Sequence, residues 1–504
     1  MRNTNGRFTK IDDSTLNELR RACAKPLTHP EVSALQQYSE QTLTWLLEQF
    51  HSLAELPVGR TASVQTMESL LREPAPEIGQ GFSAALGEFQ DKVAPFAMRI
   101  DHPRFLAFIP TAPTFLSILG ELLCAGTNFF GSVWQEAAGP SQIERVVVDW
   151  FKEWLGYPPE ASGLLTSGGS EANLTALVVA RERLNYDDRA KAILYVPDQR
   201  HWSVDRSAKI LGLRPDQIRS LATDEQFRLN PRSLVQACHE DRTRGHIPWA
   251  LVVNAGSTNT GAIDSLKEIM PICRAESLWV HADAAYGWPI VLIPGGKEQL
   301  AGIAECDSIT LDPHKWFGQT YDAGCLLMKE GHRLAETFSL RPEYMQDVAP
   351  GGNESNYADM GLALTRRFRA LKIWLSVKSL GLGWFRSLVS HGCRLAQLSE
   401  ALLRQLPNVE ILAPAQLSVV CFRFRPDRLV GKGRGSEDGI NEFNEKVAEE
   451  VRATGQAFLA TTRLNQRVAQ RLCFTNWRTT SADVEQVIQL LSEAAWTIQQ
   501  TPKP

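Results

Sequence analysis

The sequence lacks any apolar run approaching the roughly 20 residues that span a bilayer, and its N-terminal stretch lacks the apolar core of a signal peptide. It also lacks a long basic run, and its net charge is −4. A nucleic-acid-binding surface needs clustered positive charge. We therefore expect a protein that binds neither membranes nor nucleic acid.

Paired cysteines are also missing. The nine cysteines are scattered from Cys23 to Cys473, and no two of them form a C-x-x-C pair. No histidines stand at a spacing typical of zinc ligands, so we expect no metal site. An odd, dispersed set of cysteines is typical of reduced, mostly buried thiols, which predicts a cytoplasmic location.

The composition, 504 residues of which 43% are hydrophobic and 22% charged, is that of an ordinary globular protein with two or three domains. Residues 1–104 show helical spacing of apolar side chains, and we expect this segment to contact a second subunit. Residues 105–389 alternate strand and helix patterns, and residues 390–504 form a smaller α+β pattern. Residues 330–360 have adjacent glycines and few apolar side chains, which predicts a long loop.

Five short apolar runs in the second segment are separated by helix-period stretches. This alternation predicts a mostly parallel sheet with helices on both faces. Such sheets bind ligands at the carboxyl ends of their strands. The predicted strands are 163–167, 193–196, 250–254, 278–281 and 307–311.

Lys315 stands at the end of the last of these strands, in LDPHKWFGQT, between His314 and the bulky pair Trp316 and Phe317. A surface cation whose stem lies along apolar neighbours is one interpretation. A lysine held in a dry pocket for its amine chemistry is the other. In the second case the aromatic residues would pack so as to position the backbone of the lysine.

A glycine turn follows the first strand, in LLTSGGSEANLTAL at 164–177. Gly169 lets the backbone approach a ligand, and Ser170 and Glu171 open a helix whose free N–H groups favour an anion such as phosphate. The pattern matches neither a dinucleotide nor a nucleoside-triphosphate motif. The same residues also suit a simple helix cap.

Three further strand ends carry polar side chains. Asp283 follows a buried strand, where it either caps a loop or holds a proton on a ligand nitrogen. Ala285 is small and would leave room beside Asp283 for a flat ring. His201 is either an ordinary polar residue or a stacking or acid–base group. The hydroxyls of Ser257 and Thr258 either line a ligand or form a turn.

Taken together, the clusters suit one small molecule: a phosphorylated, planar, nitrogen-containing aldehyde that bonds a lysine amine. Pyridoxal 5′-phosphate fits that description. The motifs HADAAYG at 281–287 and DPHKW at 312–316 resemble the signature of the group II pyridoxal-phosphate-dependent amino-acid decarboxylases. The resemblance covers nearly the whole chain and is nearest to the aromatic-L-amino-acid decarboxylases. Further matching segments are 102–115, 166–177, 341–347 and 366–374.

The resemblance implies the type I pyridoxal-phosphate fold, with a seven-stranded central sheet, and a homodimer with its active sites at the subunit interface. It also implies roles around the cofactor ring. Lys315 would bond the cofactor aldehyde, with His314 beside it. Asp283 would pair with the ring nitrogen, Ala285 would pack on the ring, and His201 would stack on its other face.

Other roles follow in the same way. Gly169 and Ser170 would hold the phosphate, and either Ser257 or Thr258 would stand near the cofactor. Asp312 would also contribute to the cofactor site, although some relatives have asparagine at this position.

Tyr344 matches a loop tyrosine that protonates the intermediate in relatives and reaches over from the partner subunit. Its presence, where aldehyde-forming relatives have phenylalanine, favours decarboxylation. The apolar segment AFIPTAP at 107–113 favours an aromatic amino acid: tryptophan, tyrosine, phenylalanine or DOPA. The predicted substrate-binding residues are Phe108, Ile109, Pro110, Thr111 and Trp134.

Alternatives to these predictions stay open. A non-aromatic substrate, such as glutamate, cysteine sulfinate, histidine or diaminobutyrate, is one, and the predicted pocket would then be ordinary core. An aromatic aldehyde synthase or another type I reaction is a second. A cofactor-binding protein without turnover is a third, and the presence of Lys315, His201, Asp283 and Tyr344 argues against it.

Overall fold

The structure is a computed structural model that describes residues 12–109, 112–340, 343, 354–429 and 434–500. The chain divides into two compact units. The first comprises the described part of Met1–Glu55 together with Thr61–Ala97, and the second comprises Leu56–Arg60 together with the described part of Met98–Pro504.

The first unit is helical, as predicted for the N-terminal segment. The structure describes four α-helices in it: α1 (Asp13–Ala22), α2 (Val32–Ser52), α3 (Val64–Leu71) and α4 (Phe82–Glu88). Rings join α2 to the α4 region, since Tyr38 stacks on Phe82 at 4.7 Å and Trp45 meets Phe89 edge-on at 5.4 Å. None of the four helices buries a side chain fully.

A seven-stranded sheet forms the centre of the second unit. Its strands lie in the order β1-β7-β6-β5-β4-β2-β3. Strand β7 runs antiparallel to both of its neighbours, β1 and β6, and all the other neighbouring pairs are parallel. The strands are β1 (Ser162–Thr166), β2 (Ala192–Pro197), β3 (Ile218–Leu221), β4 (Ile247–Asn254), β5 (Trp279–Asp283), β6 (Ser308–Leu311) and β7 (Gly324–Met328).

Helices cover both faces of this sheet because alternate residues of each strand point to opposite sides. One face packs against α6, α9, α10 and α13, and the other against α7, α8 and α12. The α-helices of this region are α5 (Phe115–Thr127), α6 (Trp134–Leu155), α7 (Gly169–Arg181), α8 (Trp202–Ile210), α9 (Pro231–Thr243), α10 (Leu266–Glu276), α11 (Gly296–Gln299), α12 (His332–Phe338) and α13 (Ala370–Leu403).

A smaller antiparallel sheet follows near the C-terminus, with strand order β10-β11-β9-β8. A separate apolar core lies between this sheet and the flanking helices. The elements are β8 (Val409–Gln416), β9 (Val419–Phe424), α14 (Arg434–Ala453), β10 (Ala460–Leu464), β11 (Arg467–Cys473) and α15 (Ser481–Gln500).

The predicted fold class is confirmed, with a mostly parallel seven-stranded sheet, a helical N-terminal segment and a small C-terminal α+β region. The predicted boundary at 389/390 remains a prediction. The long helix α13 runs through this position, and its kink lies earlier, at Gly381. Among the described residues, no helix is both long enough and apolar enough to cross a membrane.

Candidate active site

A cavity of about 380 Å³ opens at the carboxyl ends of the parallel strands. This is the edge at which parallel sheets bind ligands. Of the predicted site residues, the cavity brings together Gly169, Ser170, His201, Thr258, Asp283, Ala285, Asp312, His314 and Lys315.

Lys315 lies in the turn that leaves β6, and apolar packing holds that turn. Trp316 and Phe317 are fully buried. The ring of Trp316 stacks near Tyr286 at 5.4 Å, and that of Phe317 stacks on Phe385 at 4.0 Å. The two aromatic residues after Lys315 are therefore core, and they fix the backbone from which its side chain extends.

Carboxylates dominate the surroundings of the Lys315 amine. Its Nζ lies 3.0 Å from Asp312 Oδ2. Burial lowers the pKa of Lys315, but the carboxylates of Asp312 and Asp283 outweigh that effect and hold the pKa above its usual value. The amine is therefore charged at neutral pH in the protein alone, and it acts as a nucleophile only after losing a proton.

His314 precedes this lysine and is held by the same turn. The backbone N–H of Ala323 donates to His314 Nδ1 at 3.1 Å, so the neutral ring carries its proton on Nε2. Burial lowers the pKa of His314, which favours that neutral form. Its ring meets that of Tyr321 at 5.0 Å.

The glycine turn and the start of α7 form another wall. No side chain caps α7 at Gly168, and the first N–H groups of a helix have no partner within the helix. A Cβ atom added to Gly169 would lie 2.8 Å from Asp312 Oδ2 and 3.4 Å from the Cβ of Ala285. Glycine therefore allows the close approach between the α7 start and the residues that follow β5 and β6.

Asp283 ends β5 with its carboxylate held by two donors. The backbone N–H of Ala285 donates to Oδ1 at 3.2 Å, and the side-chain amide of Asn173 donates to Oδ2 at 3.0 Å. The residue is 8% exposed and lines the cavity. A carboxylate fixed in this way suits a cationic ring N–H on a bound molecule.

His201 precedes α8 and caps it. Its Nδ1 accepts from the backbone N–H of Ser203 at 3.3 Å and lies 2.7 Å from the hydroxyl of the same serine. The proton of the neutral ring is therefore on Nε2. Burial lowers the pKa of His201, which keeps the ring neutral and able to stack on a flat ligand.

The two hydroxyl residues after β4, Ser257 and Thr258, have different surroundings. Thr258 lines the cavity. Ser257 is buried, and its Oγ lies 2.9 Å from Thr260 Oγ1 and accepts from the Thr260 backbone N–H at 3.3 Å. The serine therefore stabilises the turn, and the threonine is the hydroxyl available to a ligand.

Several predicted substrate residues do not line the cavity within one chain. Phe108 is 61% exposed and Ile109 is buried in the core. Trp134 begins α6, where its backbone N–H donates to Asn356 Oδ1 at 2.9 Å. The other predicted residues, Pro110, Thr111 and Tyr344, lie outside the described residues.

The residues that line the cavity but were not predicted from the sequence include Asn173, Ser203 and Tyr321. Asn173 lies four positions after Gly169, hence on the same face of α7 as the glycine turn, and this spacing is a usable signal. Ser203 follows His201 by two residues in the first turn of α8. Tyr321 lies in the connection from β6 to β7, where no pattern distinguishes it.

The arrangement fits pyridoxal 5′-phosphate. The uncapped start of α7 suits its phosphate, the fixed carboxylate of Asp283 suits its ring nitrogen, and Lys315 suits its aldehyde. Ala285, whose Cβ would touch a side chain at Gly169, keeps the middle of the cavity free for a flat ring. Among described residues, Asp312 Oδ1 is buried without a hydrogen-bond partner, so a bound donor has an acceptor there.

Comparison with known proteins gives the family. Residues 65–425 match the model of the pyridoxal-dependent decarboxylase conserved domain. An aromatic-L-amino-acid decarboxylase from Bacillus atrophaeus is 40% identical over 92% of this chain and 95% of its own length. A phenylacetaldehyde synthase from Petunia hybrida is 31% identical over 83% and 85%.

A solved structure, that of Oryza sativa TDC with PLP and tryptamine, superposes with a TM-score of 0.88 at 25% identity. The superposition covers 94% of this chain and all of the other. The type I fold predicted from the motifs is thereby confirmed, as are the predicted family and cofactor. The chain belongs to the pyridoxal-dependent decarboxylases, enzymes that remove the carboxylate of an amino acid with the help of pyridoxal 5′-phosphate.

Proposed function

We propose that this enzyme decarboxylates an aromatic L-amino acid, such as tryptophan, tyrosine, phenylalanine or DOPA, to its amine and carbon dioxide. The observation that carries the proposal is the cavity in which Lys315, Asp283 and His201 meet the uncapped start of α7. The 40% identity to an aromatic-L-amino-acid decarboxylase over nearly the full length of both chains supports the aromatic substrate.

When bound, the cofactor supplies an electron-accepting ring that stabilises the electron pair left behind as carbon dioxide departs. Lys315 would hold it covalently through Nζ until the substrate amine takes its place. Asp283 would keep a proton on the ring nitrogen, and His201 would stack on the ring and fix its plane. The N–H groups at the start of α7, with Gly169 and Ser170, would hold the phosphate.

Thr258, rather than Ser257, would contact the cofactor on the β4 side, because only Thr258 of the two lines the cavity. Tyr344 would deliver the proton that replaces the carboxylate at the substrate Cα. The loop predicted from the sequence over 330–360 is interrupted by α12, which ends at Phe338. A tyrosine in the remaining predicted loop suits a group that approaches only when substrate is bound and that excludes water as it does so.

The substrate pocket would be completed by a second copy of the chain. Phe108 is exposed although it belongs to an apolar segment predicted to bind substrate. Exposed apolar side chains also occur on and just after α5, at Leu122, Leu123, Phe129 and Phe130. Exposed apolar groups of this kind are typical of an interface, which supports a homodimer with residues of one subunit reaching the site of the other.

A cytoplasmic location is part of the proposal. All nine cysteines are described, and none forms a disulfide; seven of them are buried. Burial raises the pKa of several of these thiols, to about 12 for Cys273 and Cys421, so they are protonated and unreactive. Inert, reduced thiols suit a reducing compartment.

A second reaction is favoured by a specific observation: relatives of this chain include phenylacetaldehyde synthases, one of them 31% identical. These proteins are named for an aldehyde product, whereas a decarboxylase releases an amine. The presence of Tyr344 favours the amine. The two reactions share the cofactor and differ in whether oxygen is consumed, so their products separate them.

The test is a competition assay in which the purified holoenzyme receives an equimolar mixture of natural amino acids and DOPA, and products are identified by mass. Amines from aromatic amino acids, with one carbon dioxide for each amine and no peroxide, are expected. An amine from glutamate, histidine or diaminobutyrate in preference to an aromatic amine would overturn the substrate assignment. Peroxide formed in step with aldehyde would overturn the reaction.

A further inference from the structure

A chain of buried hydrogen bonds lies behind Asp283 and His201, the two residues that flank the proposed ring site. It begins at Trp279 and Ser308 on β5 and β6, passes through His281 on β5, and reaches Asn173 on α7. Every one of these side chains is buried. The proposed decarboxylation mechanism gives no role to these four side chains.

The first hydrogen bond determines which atom donates at each later step of the series. The indole Nε1–H of Trp279 can only donate, and it donates to Ser308 Oγ at 3.1 Å. The Ser308 hydroxyl lies 2.8 Å from His281 Nδ1 and has its own hydrogen left to donate there. His281 Nδ1 is therefore an acceptor, and the proton of the neutral ring is on Nε2.

The neutral form of His281 is the stable one. The ring is fully buried, and burial lowers the pKa of His281 to about 4, although the carboxylate of Asp283 opposes that shift. Its Nε2–H donates to Asn173 Oδ1 at 2.9 Å, with Thr310 Oγ1 at 3.3 Å as a second, longer contact. The oxygen of the Asn173 amide is thus fixed towards His281.

The amide nitrogen of Asn173 then points its two hydrogens to the site. One goes to Asp283 Oδ2 and the other to Ser203 Oγ, each at 3.0 Å. Ser203 Oγ, having accepted, donates its own hydrogen to His201 Nδ1 at 2.7 Å. A single amide therefore serves two groups of the proposed ring site: the Asp283 carboxylate, which would meet the ring nitrogen, and, through Ser203, the His201 imidazole, which would stack on one face.

We propose that Asn173, oriented by His281, is a positioning residue that holds Asp283 as a hydrogen-bonded carboxylate and His201 as the tautomer with its proton on Nε2. If the amide were reversed, its oxygen would face the Asp283 carboxylate and its nitrogen would face a histidine N–H, so both contacts would be repulsive. The inference rests on the proposed function only in taking Asp283 and His201 as the groups beside the cofactor.

The first test is Asn173→Asp, which keeps the shape of the side chain and replaces the donating nitrogen by an oxygen. We expect the affinity for pyridoxal 5′-phosphate, titrated into cofactor-free protein, to fall by about 10- to 100-fold, the factor that accompanies loss of a hydrogen bond to a charged group. The pH dependence of the bound cofactor's visible absorbance should also move, because a second carboxylate beside Asp283 changes how firmly the ring nitrogen keeps its proton.

The matched control is Asn444→Asp. Asn444 is a fully buried amide in the C-terminal region, bonded to the backbone of Phe424 and Ile440. This change is chemically identical but distant from the cofactor, so it should lower the melting temperature and leave cofactor affinity and the absorbance profile at wild-type values. A purely structural role for Asn173 predicts the same pattern for both variants.

A second pair of variants keeps the proposal testable if Asn173→Asp does not fold. His281→Gln retains an N–H that can reach Asn173, whereas His281→Leu does not. We expect the glutamine variant to stay within several-fold of wild type in cofactor affinity and the leucine variant to resemble Asn173→Asp. Equal behaviour of the two, or wild-type affinity and absorbance in Asn173→Asp, would overturn the positioning role.

The same titration separates this inference from the proposed function. Wild-type protein that binds no pyridoxal 5′-phosphate would refute the proposed function itself. Wild-type binding together with unaltered variants would refute only the role of Asn173 and His281.

Discussion

Lys315 and Lys372 stand within two residues of a tryptophan in sequence, and both are largely withdrawn from water. Their surroundings differ. The side chain of Lys372 is 1% exposed, and its Nζ contacts Glu121 at 2.6 Å and the backbone oxygens of Thr320 and Asp322 at 2.9 and 2.8 Å. These three acceptors match the three N–H donors of an ammonium group.

Lys315 instead borders a cavity, and its side chain is 20% exposed. Burial lowers the pKa of Lys372, whereas the carboxylates of Asp312 and Asp283 overcome burial and raise the pKa of Lys315. Both lysines are tied to the connection between β6 and β7. Lys315 lies within this connection, and Lys372 donates hydrogen bonds to its backbone. Burial alone therefore does not identify a reactive lysine; an adjoining cavity does.

The largest expected effect is that of Lys315→Ala. The variant should lose the visible absorbance of covalently bound cofactor and fall to background turnover, because no other lysine is among the described residues that line the cavity. Absorbance spectra and amine production measure the two effects. Lys315→Arg, which keeps the charge, should fail equally. Wild-type absorbance and activity in either variant would contradict the assignment of Lys315.

Tyr344→Phe leaves both lysines intact and alters the proton donor. We expect amine formation to slow by about 100-fold, the contribution of a positioned general acid, with aldehyde and peroxide gaining in proportion. Product masses and a peroxide assay measure this, and cofactor absorbance should not change. The control is Tyr186→Phe at an exposed tyrosine. An unchanged ratio of amine to aldehyde would count against Tyr344.

Lys372→Met tests the role of the lysine that does not border the cavity. Removing the amine leaves two backbone oxygens and Glu121 Oε1 without this donor, while Arg367 still bonds Glu121 Oε2. The free energy of unfolding should therefore fall by about 2–4 kcal/mol, while cofactor absorbance persists. Urea unfolding of the holoenzyme measures this. Lys378→Met, at an exposed position of the same helix, should change stability by less than about 0.5 kcal/mol. Lost absorbance in a folded Lys372→Met protein would mean that both lysines serve the cofactor.

The smallest expected effect is that of Asp312→Asn, which removes the carboxylate 3.0 Å from Lys315. Since that carboxylate raises the pKa of Lys315, its loss lowers the pKa, and the neutral amine becomes available at lower pH. The rate at which cofactor-free protein captures pyridoxal 5′-phosphate should therefore reach its plateau roughly one pH unit lower. Asp187→Asn, at an exposed position, is the control. An unshifted profile would contradict the coupling.

Much of the sheet was predictable from the sequence because its central strands are buried on both faces and read as apolar runs. The edge strand β3 was missed because it is four residues long, contains Arg219, and buries little. The strand β7 was missed for a different reason. Its apolar residues are evident, but nothing local indicates that the chain turns back between β6 and β1.

The strand-end residues of the site were predictable because topology places them on one edge. Asn173 was not, since an asparagine within a helix pattern resembles any polar residue. Its partners, His281 and Asp283, are more than 100 positions away in sequence. The choice between Ser257 and Thr258 likewise needed the backbone of the turn, because both hydroxyls suit either role.

The reversed strand β7 sets the distance between the turn that bears Lys315 and the glycine turn before α7. It pairs with β6 through Leu311 and Cys325 and with β1 through Thr166 and Gly324, so two strand spacings, about 9–10 Å, separate the lysine turn from the glycine turn. This interval is set by backbone hydrogen bonds. Apart from Gly169, where a Cβ atom would meet Asp312, side chains lining the cavity can therefore be exchanged, and the substrate with them, while the separation between the amine-bearing turn and the anion-binding turn stays constant.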